Sequence, residues 1–600
     1  MTEPTVADVV ELAPEPPPKG PRVWLRENLF STPASSVMSV VAIAVALASI
    51  RGLMGFLFDP ARRWEAVTYN MRLLMVQAYP VDQFLRVWFS VAFVAVLLAA
   101  TLAVYRIGGR MSPRRLGTTI TGIGAFVALA GLLSPFSFAG RVAWVVVGAA
   151  LAVVGYLART LPGERAKEPT IPTLGIVTAV IALVLAALWV VRLPFPVSVD
   201  GEQTVRYLPI AASTRIPWLV VALVGVATYF AVKAIRDRVP EAWLRRTVVT
   251  LWAASYPFLV LVVLRDPELD YGTVLSRDLP IFLGFALVGA AVLQVAATRA
   301  YGELGRVIGA VAVVAAIGSF FVPVPYVVRF LLIGFALFAL AAPAFGGEGR
   351  SRLAFLGLWI LTAALVSYFY VVATAPSSVE VPGSYMLGGL GLTLVLSVTA
   401  IVASFPLGLL LALGRTSSMP IFRLMSTTYI ELVRGVPLIT WLLVAFIMLP
   451  VALPPGVEIG GVMRAIGAMT FFSAAYLAEN VRGGLQAIPK GQYEAARALG
   501  MSTAQMTLFI VLPQALRAVI PALVGQVIAI FKDTSLVTIV GLFDFLHIAR
   551  AVIPGQSQPF NFLGTFREPL LFAAVVYWMF TFTFSRISLR LEKKLGVGER

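Results

Sequence analysis

The sequence predicts an all-α polytopic membrane protein of about sixteen transmembrane helices. Of its 600 residues, 59% are hydrophobic and only 13% charged. A soluble chain needs about 25% charged residues to cover its surface. Apolar runs of roughly 20 residues recur from Ser36 to Ser585, each long enough to cross about 30 Å of hydrocarbon as a helix. Helices are favoured there because they satisfy their own backbone hydrogen bonds, which lipid cannot do. The third observation is charge placement. The formal net charge is +17, and the basic residues flank the apolar runs, the pattern of the positive-inside rule rather than of nucleic-acid binding.

Eleven spans are expected before residue 375, at about 36–56, 87–105, 116–133, 140–158, 173–192, 216–235, 247–264, 280–297, 305–322, 326–344 and 353–373. Five follow, at about 387–412, 426–450, 460–480, 509–531 and 569–588. With a cytosolic N-terminus, the inside loops collect Arg22 and Arg26, then Arg106, Arg110, Arg114 and Arg115, then Arg236, Arg238, Arg245 and Arg246. Arg586, Arg590, Lys593 and Lys594 close the series at the other end. An even number of spans puts both termini in the cytosol. The largest outside loops are Phe58 to Arg86 and Leu193 to Arg215.

Inventory excludes several chemistries. There is no cysteine and a single histidine, His547, so no disulfide framework exists and no metal or haem site can be built on His and Cys. No catalytic residue is expected. Asp266, Glu268 and Asp270 share one outside loop and read as a solvated turn rather than a carboxylate centre. Residues 1–34 read as a cytosolic tail, Pro-rich and acidic over the first twenty positions. Residues 35–374 form an accessory region of about eleven helices. They carry few intramembrane charges, which argues against an ion path there. Arg329 is the exception and reads as a snorkelling side chain.

From residue 375 the texture changes. Glu431, Arg434, Glu479, Lys532 and Asp533 lie within or beside spans. Between the third and fourth spans of this block runs a basic segment, Glu479 to Gly500. Pro489 suits the first turn of a short helix and Gly500 its left-handed C-terminal cap. Ser502 with Gln505 suits a capping box that opens the next helix. Glu494, Ala495 and Ala496 then sit on barely three turns: two alanines give a smooth face for another protein's groove, and Glu494 a charge that fixes orientation. Arg497, three residues on, is within reach of Glu494.

This segment resembles the EAA loop of ABC importer permeases. Glu494-Ala495-Ala496, Gly500, Ile510, Leu512 and Pro513 all match in identity and spacing. Three further stretches resemble the polar amino-acid branch of that family: Tyr429 to Leu438, Lys532-Asp533-Thr534-Ser535-Leu536, and Gly391-Leu392-Thr393-Leu394. Trp24 to Ser31, Trp64, Asn70-Met71-Arg72-Leu73 and Tyr79-Pro80 resemble the start of general L-amino-acid permeases. This chain places about ten spans between Arg86 and Val379.

The resemblance implies a five-helix type I permease domain at 375–592, with its coupling loop at 482–513 and a short cytosolic tail at 593–600. It implies a multi-pass protein of the bacterial inner membrane, working with a cytosolic ABC ATPase dimer, a second permease subunit and an extracytoplasmic amino-acid-binding protein. The chain has no Gly-Lys-Ser/Thr phosphate loop, so no cofactor is expected on it and ATP falls to the partner. The residues expected to couple to the ATPase are Glu494, Ala495, Ala496, Arg497, Gly500, Ile510, Leu512 and Pro513. A substrate path through Glu431, Arg434, Glu479, Lys532, Asp533, Thr534 and Ser535 would give a zwitterion partners of both signs. The same charges also fit plain interface ion pairs, Glu431 with Arg434 and Glu479 with Arg482. A secondary transporter or channel is the alternative, and it would require two related halves with charged, broken helices.

Overall fold

The computed structural model describes residues 21–160, 168–259, 268–298, 302–345, 350–375, 388–452 and 459–595. Asp266, the first twenty residues and positions 596–600 fall outside them. Among the described residues the chain is helical apart from two short antiparallel strand pairs. Twelve helices are long and apolar enough to cross a bilayer, or thirteen if one bent pair counts as a single span. Among the described residues the number of spans stops short of the expected sixteen, and the end of the span expected at 247–264 lies outside them. The helix Gly302–Gly318 is only 17 residues long, and Glu241–Pro257 opens on Glu241, Arg245 and Arg246. Tyr326–Ala342 is a shorter apolar helix. The span expected at 426–450 bends by 102° between Gly435 and Leu438, where Pro437 lacks the N–H that would continue the helix.

The chain packs as two compact units. One comprises residues up to 62 together with 108–180. Its first long helix, Pro33–Phe58, follows the short helix Pro21–Asn28 and starts at a Thr32–Ser35 capping box with Pro33 in the first turn. Its helices Pro113–Leu133 and Phe138–Thr160 cross closely, with Gly117, Gly124, Gly131, Gly148 and Gly155 buried along the contact. Small residues allow that approach where lipid supplies no hydrophobic drive.

The other unit comprises 63–107 and 181–600. Two short helices open it, α1 (Glu65–Tyr69) and α2 (Met71–Val76). A hairpin follows later, β1 (Arg192–Val199) and β2 (Glu202–Pro209), closed by Asp200 and Gly201, both at positive φ. The helices between 271 and 374 gather around Trp359, which is fully buried and donates its indole N–H to the Phe285 carbonyl at 3.1 Å. Arg329, as expected of a snorkelling side chain, donates to the Val322 carbonyl at 3.1 Å and lies over the Tyr326 ring.

The helices after residue 388 that build the site are α3 (Gly389–Arg415), α4 (Pro420–Gly435), α5 (Gly461–Gln486), the short α6 (Lys490–Ala498), α7 (Leu512–Asp533) and α8 (Arg567–Leu595). α5 is the most enclosed of the spans and packs against α3, α4 and α7. Two apolar clusters lie along it. One joins Leu392, Leu396 and Ala400 to Ala465, Ile466, Met469 and Ile530. The other joins Ala412, Ile430, Ala478 and Val481 to Ala496, Met506 and Ala515. Burying each such side chain contributes about 1.5–3 kcal/mol when the alternative is water. In lipid the same contacts act through packing density instead.

Candidate functional site

The coupling segment is built by its two ends. Pro489 stands one position before the helix rather than inside its first turn, with ψ of 139°. After the nine residues of α6, Leu499 closes the helix, and Gly500 takes φ of +70°. That conformation costs an L-residue with a side chain roughly 1–2 kcal/mol. Gly500 N–H donates to Arg497 O at 2.9 Å and Met501 N–H to Ala496 O at 3.1 Å, the paired bonds of a Schellman cap. The capping box then forms: Gln505 N–H reaches Ser502 Oγ at 3.3 Å, and Ser502 N–H reaches Gln505 Oε1 at 3.0 Å. Two opposed local rules thus stop one helix and start the next within five residues.

The two alanines do not share a face. Ala496 is 3% exposed and packs among Leu485, Met506, Val511 and Ala515. Glu494, Ala495 and Arg497 face outward with Leu499, which is 80% exposed. Among the described residues, no ion pair joins Glu494 to Arg497. The expected pair is replaced by two charges displayed separately. Tyr493 anchors the inner face by donating to the Leu485 carbonyl at 3.2 Å, and Gln514 donates to Gln492 at 3.2 Å. Ile510 is half-buried, Leu512 is buried and Pro513 is exposed at the start of α7. They root the segment in the membrane helices rather than extend its outward face.

Directly above lies a five-residue ion network. Glu479 Oε1 meets Arg415 at 2.7 Å, and Glu479 Oε2 meets Arg482 at 2.9 Å and Arg434 at 3.4 Å. Glu431 pairs with Arg415 at 2.8 Å, not with Arg434 as its helical spacing suggested. Arg415 had no place among the expected site residues because a basic residue ending a span reads as a topology signal. Here it ties α3 to both α4 and α5. Both carboxylates are thus held by guanidinium groups, and the network joins three helices beside the coupling helix.

The structure separates the expected substrate residues into two groups. Glu431, Arg434 and Glu479 belong to the network. Lys532, Asp533, Thr534 and Ser535 lie toward the other end of α5, where α7 passes into the tight helical turn Thr534–Val540. The flanking Ile530 and Val537 pack with Ala465 and Ile466, about 20 Å along α5 from Glu479 at the 1.5 Å rise of a helix. Lys532 is exposed, Asp533 half-buried and Thr534 buried, its hydroxyl given to the Phe531 carbonyl at 2.8 Å. Between the two groups, Gln526 bridges α7 to α5 by accepting from Asn480 at 2.9 Å and donating to the Ser473 carbonyl at 2.7 Å. It borders a cavity of about 340 Å³ lined by Ile401, Phe405, Leu477 and Ile530.

No cluster of three metal-ligating side chains occurs among the described residues. Asp270 caps the turn after it, accepting from Gly272 N–H at 3.0 Å and from the Thr273 hydroxyl. Those bonds hold its carboxyl below the ordinary range. It behaves as the solvated turn that the sequence suggested.

Residues 404–597 match the family of binding-protein-dependent transport system inner membrane components. The glutamate/glutamine/aspartate/asparagine transport system permease protein of Rhodobacter capsulatus is 43% identical over 293 residues, covering 47% of this chain and 65% of that protein. An inner membrane amino-acid ABC transporter permease protein of Escherichia coli is 48% identical over 212 residues, 35% of this chain and 56% of that protein. Each match spans less than two thirds of the relative's length. A probable glutamine ABC transporter permease protein of Bacillus subtilis is 35% identical over 210 residues, 35% of this chain but 93% of that protein. The chain belongs to the type I ABC transporter permeases, in their polar amino-acid branch. It is a transporter component and a multi-pass membrane protein.

Proposed function

We infer that this chain is the membrane-spanning permease subunit of an ATP-driven importer of amino acids. The observation that carries the reading is α6: a short helix stopped by a Schellman glycine, anchored on one face by Ala496 and Tyr493, and open on the other at Glu494, Ala495 and Leu499. A helix fixed on one side and bare on the other is suited to seat in a cleft of a cytosolic ATPase and carry its movement to α5 and α7. The Arg415–Glu431–Glu479 network stands where that movement would arrive, and it resists shear between α3, α4 and α5.

The complete transporter pairs this chain with a second permease, homologous or identical, with two ATPase subunits that bind the ATP, and with an extracytoplasmic binding protein. Both termini lie in the cytosol of a bacterial inner membrane. The substrates for which the relatives are named, glutamate, glutamine, aspartate and asparagine, favour polar amino acids as the cargo. Lys532 and Asp533, of opposite sign at a helix break, suit the carboxylate and ammonium of a zwitterion, with Ser535 beside them. The Glu479 network is left to coupling because its carboxylates are already paired.

The test is reconstitution of the permease pair with its ATPase in sealed lipid vesicles, where both ATP hydrolysis and uptake can be read. Glu494→Lys is expected to abolish stimulation of ATP hydrolysis while the protein still inserts and purifies. Lys532→Ala and Asp533→Ala should lower uptake of labelled amino acids while ATPase assembly persists. Full stimulation by the Glu494→Lys protein would overturn the coupling reading.

A further inference from the structure

The two largest loops between spans, 58–86 and 193–215, do not remain loops in the permease unit. From the first, α1 and α2 pack into a cluster with Phe545, Ile548, Ile553, Phe562 and Ala573, in which Ala66 and Leu74 are fully buried. From the second, β1 lies on α1, and the Thr68 hydroxyl donates to the Pro194 carbonyl. Both grip one residue of the connector between the last two spans. Arg63 donates to the Asn561 carbonyl at 2.5 Å, and Asn561 N–H donates to Gln203 Oε1 at 3.0 Å. The hairpin is therefore fixed at the end of the unit away from α6, since α3 starts beside Asp544 and Leu74 and ends at the Glu479 network.

The two edges of this hairpin differ. A two-residue turn makes Val199 and Glu202 a hydrogen-bonded pair, and strict alternation follows along the register. Positions 192, 194, 196 and 198 of β1 and 203, 205, 207 and 209 of β2 then have their N–H side turned away from the partner strand. On β1 two of these are Pro194 and Pro196, which have no N–H to offer, so that edge is blunted. On β2 Gln203, Val205 and Tyr207 keep their N–H groups, and only the terminal Pro209 lacks one. Among the described residues no backbone hydrogen bond outside the hairpin uses them. Every residue of β2 is exposed, Tyr207 to 67%. An open strand edge is not tolerated in hydrocarbon, so β2 stands in water or at the interface. A long, unprotected edge carrying Val205, Tyr207 and Leu208 is a template for strand addition unless a partner covers it.

We propose that the outer edge of β2 is a docking edge for the extracytoplasmic solute-binding protein, which adds a strand or an extended segment along Gln203–Tyr207. The proposal rests on the importer reading above. That reading requires a binding protein to approach this end, and the hairpin is continuous, through Asn561, with the connector into α8. Contact there reaches the transport helices directly, which a hairpin held only by its own spans would not provide.

The experiment uses the full transporter in lipid discs and a purified polar amino-acid-binding protein from the same cells, added with an equimolar mixture of the common amino acids. ATP hydrolysis is titrated against binding-protein concentration. Val205→Pro removes one outward N–H and should raise the half-saturating concentration at least tenfold. A photoreactive phenylalanine analogue at Tyr207, which leaves the backbone intact, should cross-link to the binding protein. An unchanged half-saturating concentration for Val205→Pro, or cross-links only to a second permease, overturns the docking edge and leaves the importer reading standing. A wild-type transporter that no concentration of binding protein stimulates overturns both.

Discussion

The two ends of the permease unit are held together by different physics. At the coupling end, five charged side chains and two helix caps fix α3, α4, α5 and α6. At the other end, apolar packing around Leu74 and Phe545 joins α1 and α2 to residues more than 450 positions away, and polar bonds secure the rim at Asn561. Ion pairs and caps are strongly directional and can exchange partners, as a part that must move under load requires. A dry apolar cluster has one well-packed arrangement and resists sliding. The difference teaches that residues 63–79, far from the last third in sequence, are part of the frame of the permease unit, whereas the parts that would move under the proposed function lie within that last third.

The contrast can be broken from either side. The largest effect is expected from Leu74→Ala, which empties a fully buried position and should destabilise the unit by about 2–5 kcal/mol. Thermal unfolding in detergent would read it, and the loss should not vary with salt. Glu479→Gln should cost about 2 kcal/mol, because Arg415, Arg434 and Arg482 lose their common counter-charge. The side chain keeps 16% exposure, so solvent screens part of the loss. Added salt should narrow the gap between this variant and wild type.

Gly389→Ala sharpens the comparison at the apolar end. Gly389 has φ of +61°, and a Cβ there would collide with the Leu74 carbonyl of α2. A loss of about 1–2 kcal/mol is expected from the backbone alone, with faster proteolysis between residues 63 and 79 as a second readout. At the coupling end, Ser502→Ala removes one capping bond and should cost about 1 kcal/mol. The smallest stability change, within about 0.5 kcal/mol, is expected for Glu494→Gln, since Glu494 is exposed. A melting temperature equal to wild type, together with reduced ATPase stimulation, would separate the coupling role from the structural one.

Much of this was legible in the residues. Pro489, Gly500, Ser502 and Gln505 act over a few positions, so their caps can be read from consecutive residues, apart from the one-residue shift at Pro489. Apolar length likewise marked the membrane helices, although among the described residues not every expected span meets the length of a crossing helix, and Pro437 bent one of them. Pairings between helices were not legible. Glu431 met Arg415, sixteen positions earlier, rather than Arg434 at helical spacing, because the crossing of α3 and α4 decides which charges face each other. The alanines of the EAA stretch looked equivalent, yet only Ala496 turned inward.

By itself the sequence determined that the chain enters a membrane as helices, and that a short capped helix between Pro489 and Gly500 interrupts it. Hydropathy, charge flanks and cap chemistry are local properties carried by consecutive residues. Only the tertiary structure decided that Arg63 and Gln203 meet at Asn561, that Leu74 completes a core begun at Phe545, and that one hairpin edge carries two prolines at its outward positions while the other presents Gln203, Val205 and Tyr207. Those facts depend on packing between segments hundreds of residues apart. No periodicity in the sequence records that packing, because either side of each contact is ordinary when read alone.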